Sequence, residues 1–79
     1  MVKETIKGKS IAIIIAFRNF RDEEYFVPKE ILETAGAEIT TVSTQTGEAI
    51  GADGGEAEVA LSLKDLNIAD FDAIIFIGG

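Results

Sequence analysis

An α/β fold of the flavodoxin-like kind, three layers around a mainly parallel sheet, is what three features of this sequence predict. Residues 11–17 and 73–77 are unbroken apolar runs rich in isoleucine, the pattern of strands covered on both faces rather than wetted on one. Between them, residues 22–35 carry helical spacing and residues 37–43 return to β-branched side chains. Strand, helix and strand in about 35 residues make a βαβ unit, for which a right-handed crossover is expected. The later run ends in Gly78-Gly79, where positive φ is permitted and another group can approach the main chain.

Residues 1–9 carry lysines and lead into a short apolar run without a small-residue cleavage site, so they read as a solvated arm and not as a signal peptide. The domain proper is residues 10–79. Ser10 to Phe17 is too short and too β-branched for a helix and forms the first strand. Residues 18–21 are a polar loop whose one aromatic, Phe20, folds back on the sheet. Asp22, Glu23 and Glu24 open a helix, since carboxylates are favoured beside its unpaired N-terminal amides.

Within that helix Val27, Ile31 and Ala35 share a face at spacings of four, with Glu24 one turn earlier and Leu32 alongside. This predicts a buried stripe with a carboxylate in line with it. Pro28 removes one helical hydrogen bond. Either the regular helix starts just before Pro28, or the first turn bends and aims residues 22–25 inward. Gly36 ends the element.

Residues 37–43 alternate more and form a second strand nearer the sheet edge. Residues 44–56 include Gly47, Gly51, Gly54 and Gly55 but no lysine, and match neither Gly-x-x-x-x-Gly-Lys-Ser/Thr nor Gly-x-Gly-x-x-Gly. A short hairpin follows instead, with residues 49–50 and 58–60 as its arms. Ser62 caps a short helical turn that has Asp65 at its third position. Leu63, Leu66, Ile68 and Phe71 then close the N-terminal end of the sheet. A doubly wound sheet whose final strand is central continues beyond it, so these residues are expected to be one piece of a longer domain.

Composition narrows the chemistry. With 79 residues, a chain hides only about 60% of its unfolded surface and sits near the limit of independent stability. Neither cysteine nor histidine is present, which excludes thiol chemistry, an imidazole base and the usual zinc sites within these residues. No Gly-x-Ser-x-Gly elbow appears, and no cofactor is expected. The formal charge of −7 repels a phosphate backbone, so nucleic acid is not an expected partner. Neither apolar run approaches the roughly 20 residues that span a bilayer. A cytoplasmic protein without a membrane partner is the expectation.

In an open parallel sheet, ligands bind outside the carboxyl ends of the strands. The loop after Phe17 and the glycines after Ile77 both lie at that end, so Asp22, Glu23 and Glu24 are expected to converge with Gly78 and Gly79 on one crevice. A carboxylate beside a backbone amide suits acyl or carbonyl chemistry: the amide stabilises oxyanion charge and the carboxyl group holds or moves a proton. Two plainer readings stay open. The acids also suit a solvated helix start, and the glycines a tight turn.

Four stretches together carry a resemblance. They are Ile-Ala-Ile-Ile-Ile-Ala-Phe ending at Phe17, the run from Phe20 through Arg21-Asp22-Glu23-Glu24-Tyr25 to Pro28, Leu32-Glu-Thr-Ala-Gly-Ala, and Phe71-Asp72-Ala-Ile-Ile-Phe-Ile-Gly-Gly79. The chain resembles the N-terminal half of the ThiJ/PfpI superfamily, which includes cysteine peptidase-like proteins, glyoxalases, deglycases and chaperones. The resemblance covers residues 10–79. It implies that Glu24 is the site glutamate beside the reactive cysteine and that Gly79 supplies an oxyanion-hole amide. Asp22 and Gly78 would stand behind them. Ile77 departs from the proline that many members have before the glycine pair.

The cysteine itself would lie beyond Gly79, so the missing C-terminal half is the expected partner, with a homo-oligomer as the expected assembly. The complete protein would then be a cysteine-dependent hydrolase, glyoxalase or deglycase acting in stress protection. The alternatives are a non-enzymatic binding or chaperone member of the same fold, and an unrelated flavodoxin-like module. A receiver domain would want paired acids directly after the first strand, and a flavin site a phosphate loop there. Phe17-Arg18-Asn19 offers neither.

Overall fold

Isoleucine at alternate positions decides where the first strand sits. In a computed structural model that describes residues 6–78, β1 (Ser10–Ile14) sends Ile11 and Ile13 into one apolar cluster and Ala12 and Ile14 into another. Both faces of this strand are therefore buried, as its unbroken apolar pattern predicts. Burying each isoleucine contributes about 1.5–3 kcal/mol. The strand ends three residues before Phe17, although Ile15 is buried and its amide still donates to the Val42 carbonyl.

Among the described residues, seven strands form two sheets. β3 (Glu38–Ser43), β6 (Leu61–Ser62) and β7 (Ala73–Phe76) join β1 in the order β6-β3-β1-β7, every neighbouring pair parallel. β1 and β3 are linked through α1 (Asp22–Thr34), which gives the βαβ unit expected. β3 lies next to the edge, with only the two-residue β6 outside it. The second sheet is β2 (Arg18–Phe20), β4 (Gly47–Gly51) and β5 (Glu56–Val59), with β4 and β5 antiparallel as the expected hairpin.

Three expectations need correction. Residues 18–20 are a strand, not a loop, because β2 pairs parallel with β4 and turns Phe20 fully inward. Asn19 accommodates the irregular pairing at φ 64°, a left-handed conformation that asparagine tolerates better than most residues. The helix does not bury the stripe through Val27 and Ile31, which are 53% and 61% exposed. It buries Tyr25 and packs Phe26 and Leu32 against the core, because Tyr25 finds both an aromatic cluster and a polar partner beneath it.

β7 stands at the sheet edge among the described residues, with β1 as its strand neighbour; Ile75 packs partly buried against one apolar cluster and Ile74 against the other, while Phe76 is 75% exposed. Of the four residues expected to close the sheet's end, Leu66 and Phe71 pack against Ala12, Ile14 and Val42, while Leu63 and Ile68 are exposed.

The readings of Gly36 and Ser62 hold, whereas the helix does not start just before Pro28. Gly36 follows the helix at φ 101°, and its amide returns to the Glu33 carbonyl, the left-handed C-terminal stop that glycine serves best. The helix runs without interruption through Pro28. Proline has no N–H to offer four residues back, so the Glu24 carbonyl lacks its helical donor. Ser62 precedes a short 3-10 turn, Leu63–Asp65, and its hydroxyl donates to the Asp65 carboxylate. Residues 7–9 are exposed, yet the Gly8 amide donates to the Gly36 carbonyl and that of Glu38 to Lys9.

Candidate functional site

The first turn of α1 is fixed from three directions. From below, the buried Tyr25 hydroxyl shares a 2.6 Å hydrogen bond with Thr41 Oγ1 on β3, and its ring meets Phe20 and Phe26 edge to face, with centroids 5.3 and 4.8 Å away. Such pairs stabilise by about 0.5–1.5 kcal/mol beyond their burial. From the side, the Arg21 amide donates to the Gly78 carbonyl at 3.3 Å. From above, the hairpin turn after β4 reaches Asp22.

That last contact is built on backbone. Asp22 Oδ1 accepts the Asp53 amide at 2.9 Å and Oδ2 the Gly55 amide at 2.7 Å. A Cβ on Gly51 would collide with this carboxylate, and one on Gly55 would collide with it and with Phe26. The glycines thus leave room for a close approach that no larger residue permits. The Asp53 amide holds the Asp22 carboxyl below the usual carboxylate range; partial desolvation opposes it, and the Gly55 amide and the residue's own backbone add to it. The glycine-rich turn cradles a carboxylate of the protein itself.

Glu24 is exposed and stands at the end of β7: a Cβ on Gly78 would lie 3.6 Å from Glu24 Oε1. The helix start and Gly78 therefore meet at the carboxyl end of the parallel sheet, the end at which open parallel sheets bind ligands. Gly79 lies outside the described residues. Beside Glu24 opens a cleft of about 350 Å³ lined by Arg21, Asp22, Glu23, Glu24, Ala52 and Asp53. Of the expected residues, the structure brings Glu24 and Gly78 together. Asp22 turns toward the hairpin instead, and Glu23 is exposed on the cleft wall.

The sequence reading missed Arg21, Ala52 and Asp53 as cleft residues. The available signal was the spacing of Gly51, Gly54 and Gly55, which marks a close approach without saying by what.

Elsewhere, the outer face of the β4–β5 hairpin sets Glu48 directly across from Glu58. The charge of Glu56 pushes the Glu48 carboxyl above its ordinary value, with desolvation, a hydrogen bond to Glu56 and the charge of Glu58 adding to it. Among the described residues, no group of three or more carboxylates is arranged to hold a metal ion, and no helix is long and apolar enough to cross a membrane.

The sequence and the fold have counterparts among known proteins. Residues 9–79 match the model of the DJ-1/PfpI family. The chain is 36% identical to general stress protein 18 of Bacillus subtilis, covering 91% of this chain and 42% of that protein. It is 34% identical to protein/nucleic acid deglycase 2 of Escherichia coli, with the same two coverages. The crystal structure of a ThiJ/PfpI domain protein from Brachyspira murdochii superposes with a TM-score of 0.87 at 38% identity, over 92% of this chain and 42% of that one. The chain spans about two fifths of the length of the curated relatives it matches, the N-terminal part of a flavodoxin-like α/β domain.

Proposed function

Because the chain belongs to the DJ-1/PfpI family, we propose that it is the N-terminal part of a cytoplasmic cysteine-dependent hydrolase, glyoxalase or deglycase acting in stress protection. Glu24 stands beside a thiol that the rest of the domain supplies, holding a proton at its sulfur or releasing it. Gly79, next along the chain from Gly78, offers its amide to the oxygen that gains negative charge as the thiolate adds to a carbonyl. The C-terminal half of the same domain is the partner.

The observation that supports this reading most is the approach of Glu24 to Gly78, where a Cβ would lie 3.6 Å from the Glu24 carboxylate just beyond the carboxyl end of β7. Among the relatives, the deglycase favours an enzymatic over a purely structural role, and the stress protein favours a part in stress protection. The test uses the protein extended to the full length of its relatives, with thiol alkylation followed against pH. A hydrogen bond to a charged group contributes about 1.5–3 kcal/mol, or about 1–2 pKa units at ~1.36 kcal/mol each. Glu24→Ala is expected to move the thiol's midpoint by that much and to lower turnover. An unchanged midpoint with unchanged turnover removes the role.

A further inference from the structure

Asp22 is the first residue of α1, yet it does not cap its own helix: the N-cap is Arg21, which makes no side-chain capping bond. Its carboxylate reaches across to a different element and takes two amides of the turn between β4 and β5. That turn is itself closed, the Gly51 amide donating to the Gly55 carbonyl at 2.7 Å, the Gly54 amide to the Gly51 carbonyl at 3.0 Å, and the Ala52 amide to the Phe20 carbonyl at 2.9 Å. Two of its residues, Ala52 and Asp53, form the cleft wall facing Glu24.

We propose that Asp22 is a positioning residue: seated on the amides of Asp53 and Gly55, its carboxylate locks that wall to the first turn of α1 and so sets where Glu24 stands relative to Gly78. This rests on the reading of Glu24 as the working carboxylate. Asp22 touches nothing that would react. It acts through the segment it shares with Glu24, whose other anchors are the Arg21 amide on the Gly78 carbonyl and the buried Tyr25 hydroxyl. Charge-assisted bonds to two amides are short and directional. They hold a loop in one place where a neutral contact would let it drift.

Gly51 supplies a clean way to test this. The three atoms nearest a Cβ there all belong to the Asp22 carboxylate, so Gly51→Ala evicts the carboxylate without changing any charge. Amide exchange and backbone shifts are read by NMR in the 79-residue chain, for Gly51→Ala, Asp22→Ala and the double variant. Each single variant is expected to speed exchange at Asp53 and Gly55 by about tenfold or more and to displace the amide signals of Glu24 and Gly78. In the Asp22→Ala background, Gly51→Ala is expected to add almost nothing, because the group it displaces is gone.

Should Asp22→Ala fail to fold, Asp22→Asn and Gly51→Ala still report on the same amides, since asparagine keeps one acceptor for the two donors. Additive effects at Asp53 and Gly55 overturn the clasp. Loosened loop amides with Glu24 and Gly78 unmoved overturn the positioning role, and leave the Glu24 reading standing. A thiol indifferent to Glu24 sinks that reading while the clasp survives.

Discussion

Replacing Tyr25 by phenylalanine removes one oxygen from the core and nothing else, and the structure says what that oxygen does. The ring stays in edge-to-face contact with Phe20 and Phe26, but Thr41 loses its 2.6 Å partner while only 4% exposed. A buried hydroxyl left unsatisfied costs about 1–3 kcal/mol, more than the net value of about 1 kcal/mol for an ordinary hydrogen bond. In a domain of 60–100 residues each kcal/mol moves Tm by about 4–8 °C, so Tyr25→Phe is expected to lower Tm by at least about 4 °C. Thr41→Val breaks the same bond from the other side and strands the phenol. With both changes made, no polar atom is orphaned, and the second substitution costs little. Thermal and urea unfolding of the four proteins then gives a coupling of about 1 kcal/mol or more. Single effects that simply add, within about 0.3 kcal/mol, would refute the claim that this bond pins the first turn of the helix to β3.

The remaining predictions concern acid. Asp22 has a lowered carboxyl pKa in the folded chain, so its contribution is present above the ordinary carboxylate value and is lost as pH falls through the lowered one. Asp22→Asn is therefore less stable than the parent at pH 7, and the gap closes on acidification. Glu48 has the opposite shift: the repulsion from Glu56 and Glu58 is felt in full above its raised value and is relieved as the carboxyl takes up a proton. Glu48→Gln is expected to be more stable than the parent at pH 7, with the difference fading at a higher pH than for Asp22. Urea unfolding at stepped pH reads both; differences of the same sign, or independent of pH, contradict them.

What could be read from the sequence was what depends on neighbours along the chain. The isoleucines of β1 declare a strand buried on both faces, Gly36 marks the end of α1, and the glycines around Asp53 mark a hairpin turn. β2 was illegible because three residues, two of them polar, become a strand only through pairing with β4, about thirty positions later. The site divided in the same way. Topology and resemblance both set Glu24 near the terminal glycines. The Asp22 clasp depends on two amides more than thirty residues away, a contact that periodicity does not encode.

The helix face shows why such a reading goes wrong for a physical reason. Val27, Ile31 and Ala35 satisfy helical spacing, and so do Tyr25 and Leu32, two turns apart on another side of the same cylinder. Periodicity gives no preference between two apolar stripes. Tertiary contact decides, and it chose the stripe whose tyrosine could satisfy its hydroxyl on Thr41. A helix apolar on two faces has two layers to meet. The stripe that contact passed over stays in solvent: among the described residues, Val27 and Ile31 are 53% and 61% exposed.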